Sequence, residues 1–156
     1  KQEAKEQPVH FVAHSLGGLV VLNFLSQYPD FPVGRVVLLG SPLLGSHSAR
    51  QVSRFPFGNR MLGHSIDKGG LLQGIDFSKD FKPAGSKGNS KYEIGMIAGT
   101  LAFGVGTFLG RGGHEKEPND GAVAVSETRM PGLADHICVR VSPSALRVSN
   151  LVADQT

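Results

Sequence analysis

The segment that most constrains this chain is residues 9–22, an apolar strand-like run that leads through a serine into an apolar helix-like run. Ser15 stands at the junction, with Ala13 two residues before it and Gly17 two residues after it. Small residues at these positions allow a sharp, strained turn between a strand and a helix, where bulky side chains would clash. The pattern predicts a buried strand, a tight turn at Ser15 and a helix over Leu16–Gln27.

A serine on a turn of this kind is typical of a nucleophile elbow, which exposes the hydroxyl at the end of a strand. The box reads Ala-x-Ser-x-Gly, one methyl group away from the usual Gly-x-Ser-x-Gly. The five-residue pattern is weak by itself, but its place between an apolar strand and an apolar helix is far more specific. The alternative is that a small serine only lets the helix pack closely on a sheet.

Three further apolar runs, at residues 35–40, 92–99 and 136–142, predict strands of a mostly parallel sheet with helices on both faces. A chain of 156 residues is expected to form a single α/β domain. Residues 63–91 lose all periodicity and predict a cap-like or loop insertion. Its apolar residues Leu71, Leu72 and Phe77 are either lid residues or packed positions of a solvated loop.

Residues 9–22 resemble the elbow of serine esterases and lipases with the α/β-hydrolase fold, and later landmarks are similar to a bacterial lipase-like branch related to lipid-linked deacylases. The resemblance runs from Gln7 to about Val152. It implies a partial α/β-hydrolase fold whose N-terminal strands are missing. One of the two backbone donors of the oxyanion hole, which the family places in an early loop, is missing with them. It also implies hydrolysis of a small-molecule or lipid ester, with no metal and no organic cofactor.

The same resemblance assigns two further parts of the site. The backbone N–H of Leu16 would donate to the oxyanion, and Asp120 in the segment Asn119-Asp120-Gly121 would be the acid that orients a histidine. In this fold the acid follows the nucleophile in chain order, as Asp120 does. The alternative is that Asp120-Gly121 is only a good turn sequence.

Serine hydrolases of this fold use a triad of serine, acid and histidine, in which the histidine is the base. The sequence departs from the family pattern at the histidine. The family places its histidine in a short loop after the last strand, and Pro143 occupies that position here. Proline has no side-chain nitrogen, so it can neither accept the serine proton nor return it to a leaving group.

Other histidines are poor replacements. His136 opens the last predicted strand, roughly 20 Å from its carboxyl end if six residues follow it. His14 adjoins Ser15 and is expected to project away from the direction in which the serine faces. His114, in the loop before Asp120, lies on the correct edge and is a minor candidate for a substitute base.

These residues predict an acyl-ester hydrolase with a serine nucleophile, impaired by Pro143 and by the absence of the N-terminal half. The alternative is a catalytically inactive hydrolase-fold binding module or a truncated gene product.

Composition excludes several other classes. The net charge is +3, but the basic residues are scattered and aromatic residues make up 7%, which argues against nucleic-acid binding. The uncharged run at residues 94–109 has 16 residues, too few for a membrane span. The single cysteine, Cys138, is expected to be a buried strand residue and not a reactive thiol. The cytoplasm is therefore favoured, although a signal segment before Lys1 stays open.

Overall fold

The computed structural model describes residues 7–43, 92–102 and 118–156. In these residues it contains one four-stranded sheet, and every neighbouring pair of strands is parallel. The strands follow each other across the sheet in chain order: β1 (Val9–His14), β2 (Val33–Leu39), β3 (Glu93–Gly99) and β4 (Asp135–Val139). The predicted parallel sheet is confirmed.

The helix predicted after Ser15 is also confirmed, since α1 covers Leu16–Gln27. It ends at Gln27 because the backbone of Tyr28 leaves the helical region, with φ −123°, and Pro29 cannot continue the ladder. Two single turns of 3₁₀-helix, Ser126–Thr128 and Ala145–Arg147, precede the short helix α2 (Asn150–Ala153).

The sheet is covered on both faces. Side chains alternate along a strand, so Val36 and Leu38 of β2 pack on the α1 face, whereas Leu39 packs on the opposite face. The core under α1 contains Ala13, Leu19, Leu22, Leu25, Val36, Leu38, Leu43, Ile94, Met96 and Met130. The second core contains Leu39, Ile97, Val141, Leu146 and Val152. The residues after β4 thus cover one face of the sheet, and α1 covers the other face.

The last strand differs from its prediction. It ends at Val139, because Val141 leaves the ladder and its carbonyl accepts the N–H of Leu101 at 3.2 Å. Cys138 is exposed and not buried, so that prediction is wrong. β4 is the last strand in the sheet order, so Cys138 lies on an edge strand of the described sheet.

Because all four strands are parallel, their carboxyl ends lie at one edge of the sheet. Ser15 follows β1, Gly40 follows β2 and Thr100 follows β3 at this edge. In open α/β sheets the carboxyl edge is where ligands bind. The insertion predicted at residues 63–91, with Leu71, Leu72 and Phe77, lies outside the described residues.

Candidate active site

Ser15 lies in the turn between the last residue of β1 and the first residue of α1. Its backbone has φ 52° and ψ −125°, and within the described residues it is the one non-glycine residue with positive φ. Such a conformation costs an L-residue on the order of 1–3 kcal/mol and persists only where its surroundings impose it. Here the Ser15 N–H donates to the Leu39 carbonyl at 2.8 Å, and the Ser15 carbonyl accepts the Gly18 N–H at 3.1 Å. The predicted strained turn is present.

The two glycines after Ser15 have different surroundings. A Cβ added to Gly17 would meet only the Ala13 Cβ, at 4.0 Å. A Cβ added to Gly18 would overlap the Ser41 Oγ and would lie 2.7 Å from the Ser41 Cβ and 3.2 Å from the Leu38 Cδ2. Ser41 is fully buried, and its Oγ has no hydrogen-bond partner among the described residues. Gly18 therefore lets α1 approach the end of β2 closely.

Leu16 supplies the N–H group expected to face an oxyanion. It is the first residue of α1, and the first N–H groups of a helix have no acceptor within the helix. These groups also carry the positive end of the helix dipole. The elbow therefore places a backbone donor directly after the serine, as oxyanion stabilisation requires.

Asp120 lies in a tightly hydrogen-bonded loop before the Ser126–Thr128 turn. Its Oδ1 accepts the N–H groups of Ala122 and Val123, each at 2.8 Å, and the neighbouring Asn119 Oδ1 accepts the Gly121 N–H at 2.9 Å. Gly121 has φ 95°, which favours glycine. Asp120 is only 2% exposed, so one carboxylate oxygen is fixed by the loop and the whole group is withdrawn from solvent.

Two glycines at the carboxyl ends of strands, Gly40 after β2 and Gly99 at the end of β3, leave room for the Asp120 side chain. A Cβ added to Gly99 would lie 2.8 Å from the Asp120 Cβ and 2.7 Å from the Val141 carbonyl oxygen. A Cβ added to Gly40, which has φ 54°, would lie 3.5 Å from Asp120 Oδ2. Asp120 therefore packs on the carboxyl ends of β2 and β3. The turn that carries Asp120 was predicted from the sequence, but the close approach of Asp120 to the two glycines was not, although Gly40 directly follows an apolar strand and Gly99 ends one.

Burial raises the pKa of the Asp120 carboxyl above its usual value, and the charge of Glu127 adds to this, although the N–H groups of Val123 and Ala122 oppose it. A raised pKa means that the folded state holds the proton more tightly than the unfolded state does. The stability that Asp120 contributes is then present at low pH and is lost as the pH rises through the folded-state pKa.

We therefore expect Asp120→Asn to raise the melting temperature at pH 7 by about 2–4 °C, the shift that about 1 kcal/mol produces in a chain of this size. The Asn Oδ1 can still accept the two N–H groups, while the cost of a buried charge is removed. The gain should shrink as the pH falls toward 4 in thermal unfolding scans. Asp154→Asn, which removes an exposed carboxylate, controls for net charge. A lower melting temperature for Asp120→Asn at pH 7 would contradict this expectation.

The loop after β4 folds back over the sheet edge. The Leu146 N–H donates to the Ser142 carbonyl at 3.1 Å, and Leu146, only 1% exposed, packs in the second core. Its Cδ1 would lie 2.8 Å from a Cβ on Gly40. The loop that carries Pro143 is thereby held beside the ends of the central strands.

His14 reaches this loop from the elbow. Its Nε2 lies 3.1 Å from the Pro143 carbonyl oxygen, although the two residues are 129 positions apart. The sequence placed His14 away from the serine but gave no sign of this contact, because nothing local to residues 10–14 indicates which loop packs over them. The structure therefore brings the residue before Ser15 together with the position expected to hold the base.

His136 lies away from the site, as the sequence predicted, but less far than expected. β4 ends at Val139, so His136 is three residues, roughly 10 Å, from its carboxyl end and not six. Its Nε2 lies 2.9 Å from Thr128 Oγ1, which itself donates to the Val125 carbonyl at 2.7 Å. Burial lowers the pKa of the His136 imidazole. His136 is thus engaged in packing the loop before β4.

The remaining candidate base, His114, lies outside the described residues. Among residues 7–43, 92–102 and 118–156, no group of three or more His, Cys, Asp or Glu side chains is arranged to hold a metal ion. The helices of these same segments are all too short or too polar to cross a membrane.

Comparisons with known proteins agree with this geometry. Residues 1–61 match the model of the lecithin:cholesterol acyltransferase family. The structure is similar to the lipase BlEst2 of Bacillus licheniformis in its mature form, with a TM-score of 0.65 and 22% identity over 96% of this chain and 64% of that chain. For the propeptide form of that lipase the TM-score is 0.61 and the identity 21%, over 94% of this chain and 35% of that chain. No curated protein sequence matches the chain.

The chain spans less than two thirds of the length of the lipase it matches, and an identity of 22% shows a shared fold. Four parallel strands in chain order, with helices on both faces, agree with part of that fold. The chain therefore has part of the α/β-hydrolase fold.

Proposed function

We propose that the protein is an acyl-ester hydrolase in which Ser15 is the nucleophile and in which Pro143, at the position of the base, leaves the activity impaired. The observation that carries this is the backbone of Ser15, with φ 52° and ψ −125° in a turn between a parallel strand and a helix. A strained conformation at a serine on the ligand-binding edge is costly for stability alone and is typical of a nucleophile held for reaction.

The chemistry follows the serine-hydrolase scheme. Ser15 Oγ attacks the carbonyl carbon of an ester, and the Leu16 N–H donates to the oxygen that becomes negative. Collapse of the tetrahedral intermediate expels the alcohol and leaves an acyl group on Ser15, which water then removes. Asp120, buried and fixed at one oxygen, is suited to orient an imidazolium and to stabilise its charge.

The site has no residue at position 143 that can transfer the hydroxyl proton of Ser15. This proton must leave Oγ during attack and must return to the departing alcohol, and Pro143 has no group that can carry it. Solvent can accept the proton only inefficiently, so the serine reacts as an unactivated hydroxyl. Slow hydrolysis is therefore expected, not none.

The substrate class comes from the fold and its relatives. One similar structure is that of a lipase, and the family whose model matches is named lecithin:cholesterol acyltransferase. We infer a small-molecule or lipid ester as substrate, and the mechanism needs neither a metal nor an organic cofactor. A catalytically inactive hydrolase-fold module that binds such a ligand is the second candidate. Pro143 favours it, because a proline at the position of the base has no side-chain nitrogen that could transfer a proton.

The test is the release of p-nitrophenol from short- and long-chain acyl esters. We expect the full chain to turn over slowly but measurably, and Ser15→Ala to reduce the rate to the buffer background. His114→Ala tests the substitute base, which would lower the rate further if it takes part. Activity that survives Ser15→Ala would contradict the proposal, and a wild-type rate equal to that of Ser15→Ala would favour the binding module.

A further inference from the structure

The contact between His14 and Pro143 joins two parts of the site that are far apart in the chain. His14 is the last residue of β1 and immediately precedes the strained Ser15. Pro143 lies in the loop between β4 and the Ala145–Arg147 turn. The ring nitrogen Nε2 and the carbonyl oxygen are 3.1 Å apart, a hydrogen-bond distance, and both residues are partly buried.

The chemistry of the two atoms fixes the direction of the bond. A backbone carbonyl can only accept, so Nε2 carries the proton and Nδ1 is unprotonated in the neutral ring. Burial lowers the pKa of the His14 imidazole, the Pro143 carbonyl opposes this, and the charge of Arg147 adds to the lowering. The neutral ring with its proton on Nε2 is therefore the form present at neutral pH.

The loop has a second anchor on the other side. Leu146 is buried against Leu39 and Ile97 in the second core, and its N–H donates to the Ser142 carbonyl. The packing of Leu146 holds the loop against the sheet. The hydrogen bond from His14 is directional and acts on residue 143 itself. A hydrogen bond to the backbone of residue 143 constrains that position whichever side chain it carries.

We propose that His14 is a positioning residue, which holds residue 143 against the elbow by donating its Nε2–H to the carbonyl of that residue. The proposal deepens the proposed function, because it assigns the device that would place a base opposite Ser15, and its catalytic consequence rests on that function. The bond itself is present in the wild-type chain and can be tested without activity.

The first experiment reads the structure of the wild-type chain. Nitrogen-15 spectra of the histidine ring should show His14 neutral with its proton on Nε2, and hydrogen exchange should show protection at the amides of Leu146 and Ser149. His14→Ala should increase exchange of these two amides relative to those of β3, while His14→Gln, whose amide can donate over a similar reach, should restore part of the protection. His10→Ala is the matched control, because His10 lies in the same strand but accepts the Arg35 N–H at 3.1 Å instead.

The second experiment reads catalysis in chains that carry Pro143→His. Adding His14→Ala should lower kcat by about 10- to 100-fold with KM nearly unchanged. The reason is that the new imidazole would no longer be held in place, and a displacement of about 1 Å of a reacting group can lower the rate by up to about 100-fold. Adding His14→Gln should recover most of the loss, and His10→Ala should have no such effect. A general loss of stability would not produce this split between kcat and KM or its rescue by glutamine.

The outcomes separate the two proposals. A proton on Nδ1 of His14, or exchange at Leu146 and Ser149 that His14→Ala does not change, overturns the positioning role whatever the activity. An inactive Pro143→His chain with the expected tautomer and exchange overturns the proposed hydrolase function and leaves the positioning of residue 143 supported.

Discussion

Replacing Pro143 by histidine is expected to raise the rate of ester hydrolysis by about 10²- to 10⁴-fold, which is the contribution of a positioned general base. The loop after β4 already lies beside the elbow, since the Pro143 carbonyl is 3.1 Å from His14 Nε2. An imidazole at this position would take the proton of Ser15 and return it to the departing alcohol. The measurement is kcat/KM for p-nitrophenyl esters in the wild-type and substituted chains.

Three matched variants make this gain interpretable. Pro143→Ala removes the proline ring without adding a nitrogen and should leave the rate at the wild-type level. Combining Pro143→His with Ser15→Ala should abolish the gain. Combining it with Asp120→Asn should remove most of the gain, because the new imidazole loses the carboxylate that orients it and stabilises its charge. A gain that is shared by Pro143→Ala would show that release of the loop, and not proton transfer, raises the rate.

Gly18→Ala is expected to destabilise the fold by about 2–3 kcal/mol, the upper part of the range of about 1–3 kcal/mol that is typical of overpacking a tight site. Its Cβ would overlap the Ser41 Oγ and would lie 2.7 Å from the Ser41 Cβ, an atom fixed to the backbone. The helix would have to move away from the end of β2 and would take the elbow with it. In thermal unfolding this corresponds to a fall of roughly 5–10 °C for a chain of this size.

Gly17→Ala is the control for this substitution. It adds the same methyl group one residue earlier, where the nearest described atom is the Ala13 Cβ at 4.0 Å. Alanine also favours a helix over glycine by up to about 1 kcal/mol, so this variant should be as stable as the wild type or slightly more stable. Adding Ser41→Gly to Gly18→Ala should recover part of the loss. Equal stability of the two single alanine variants would contradict the close contact of α1 with Ser41.

Local patterns in the sequence predicted α1 and the approximate positions of all four strands, although β4 ends earlier than expected, because each is a compact apolar run bounded by turn residues. The turn at Ser15 was predictable for the same reason, since Ala13 and Gly17 flank it. The turn at Asp120 was predictable because Asn119-Asp120-Gly121 is a turn sequence, whereas the role of Asp120 as the acid stays a prediction. These features all depend on residues that are close to one another in the chain.

Features that depend on distant contacts were not predictable. The bond between His14 and the Pro143 carbonyl joins residues 129 positions apart and exists only once the loop after β4 has folded back. Cys138 looked buried because it stands between apolar neighbours, yet its strand lies at the edge of the described sheet. The close approach of Asp120 to Gly40 and Gly99 likewise follows from packing and not from sequence spacing.

The most direct test of Ser15 as a nucleophile that lacks its base is the rate of covalent labelling by a fluorophosphonate, with the adduct located by peptide mass spectrometry. We expect the adduct on Ser15 in both the wild-type and the Pro143→His chains, and we expect it to form at least about 10²-fold faster when histidine is present. An adduct on a different residue, or the same slow rate in both chains, would contradict the assignment of Ser15 and residue 143 to one catalytic site.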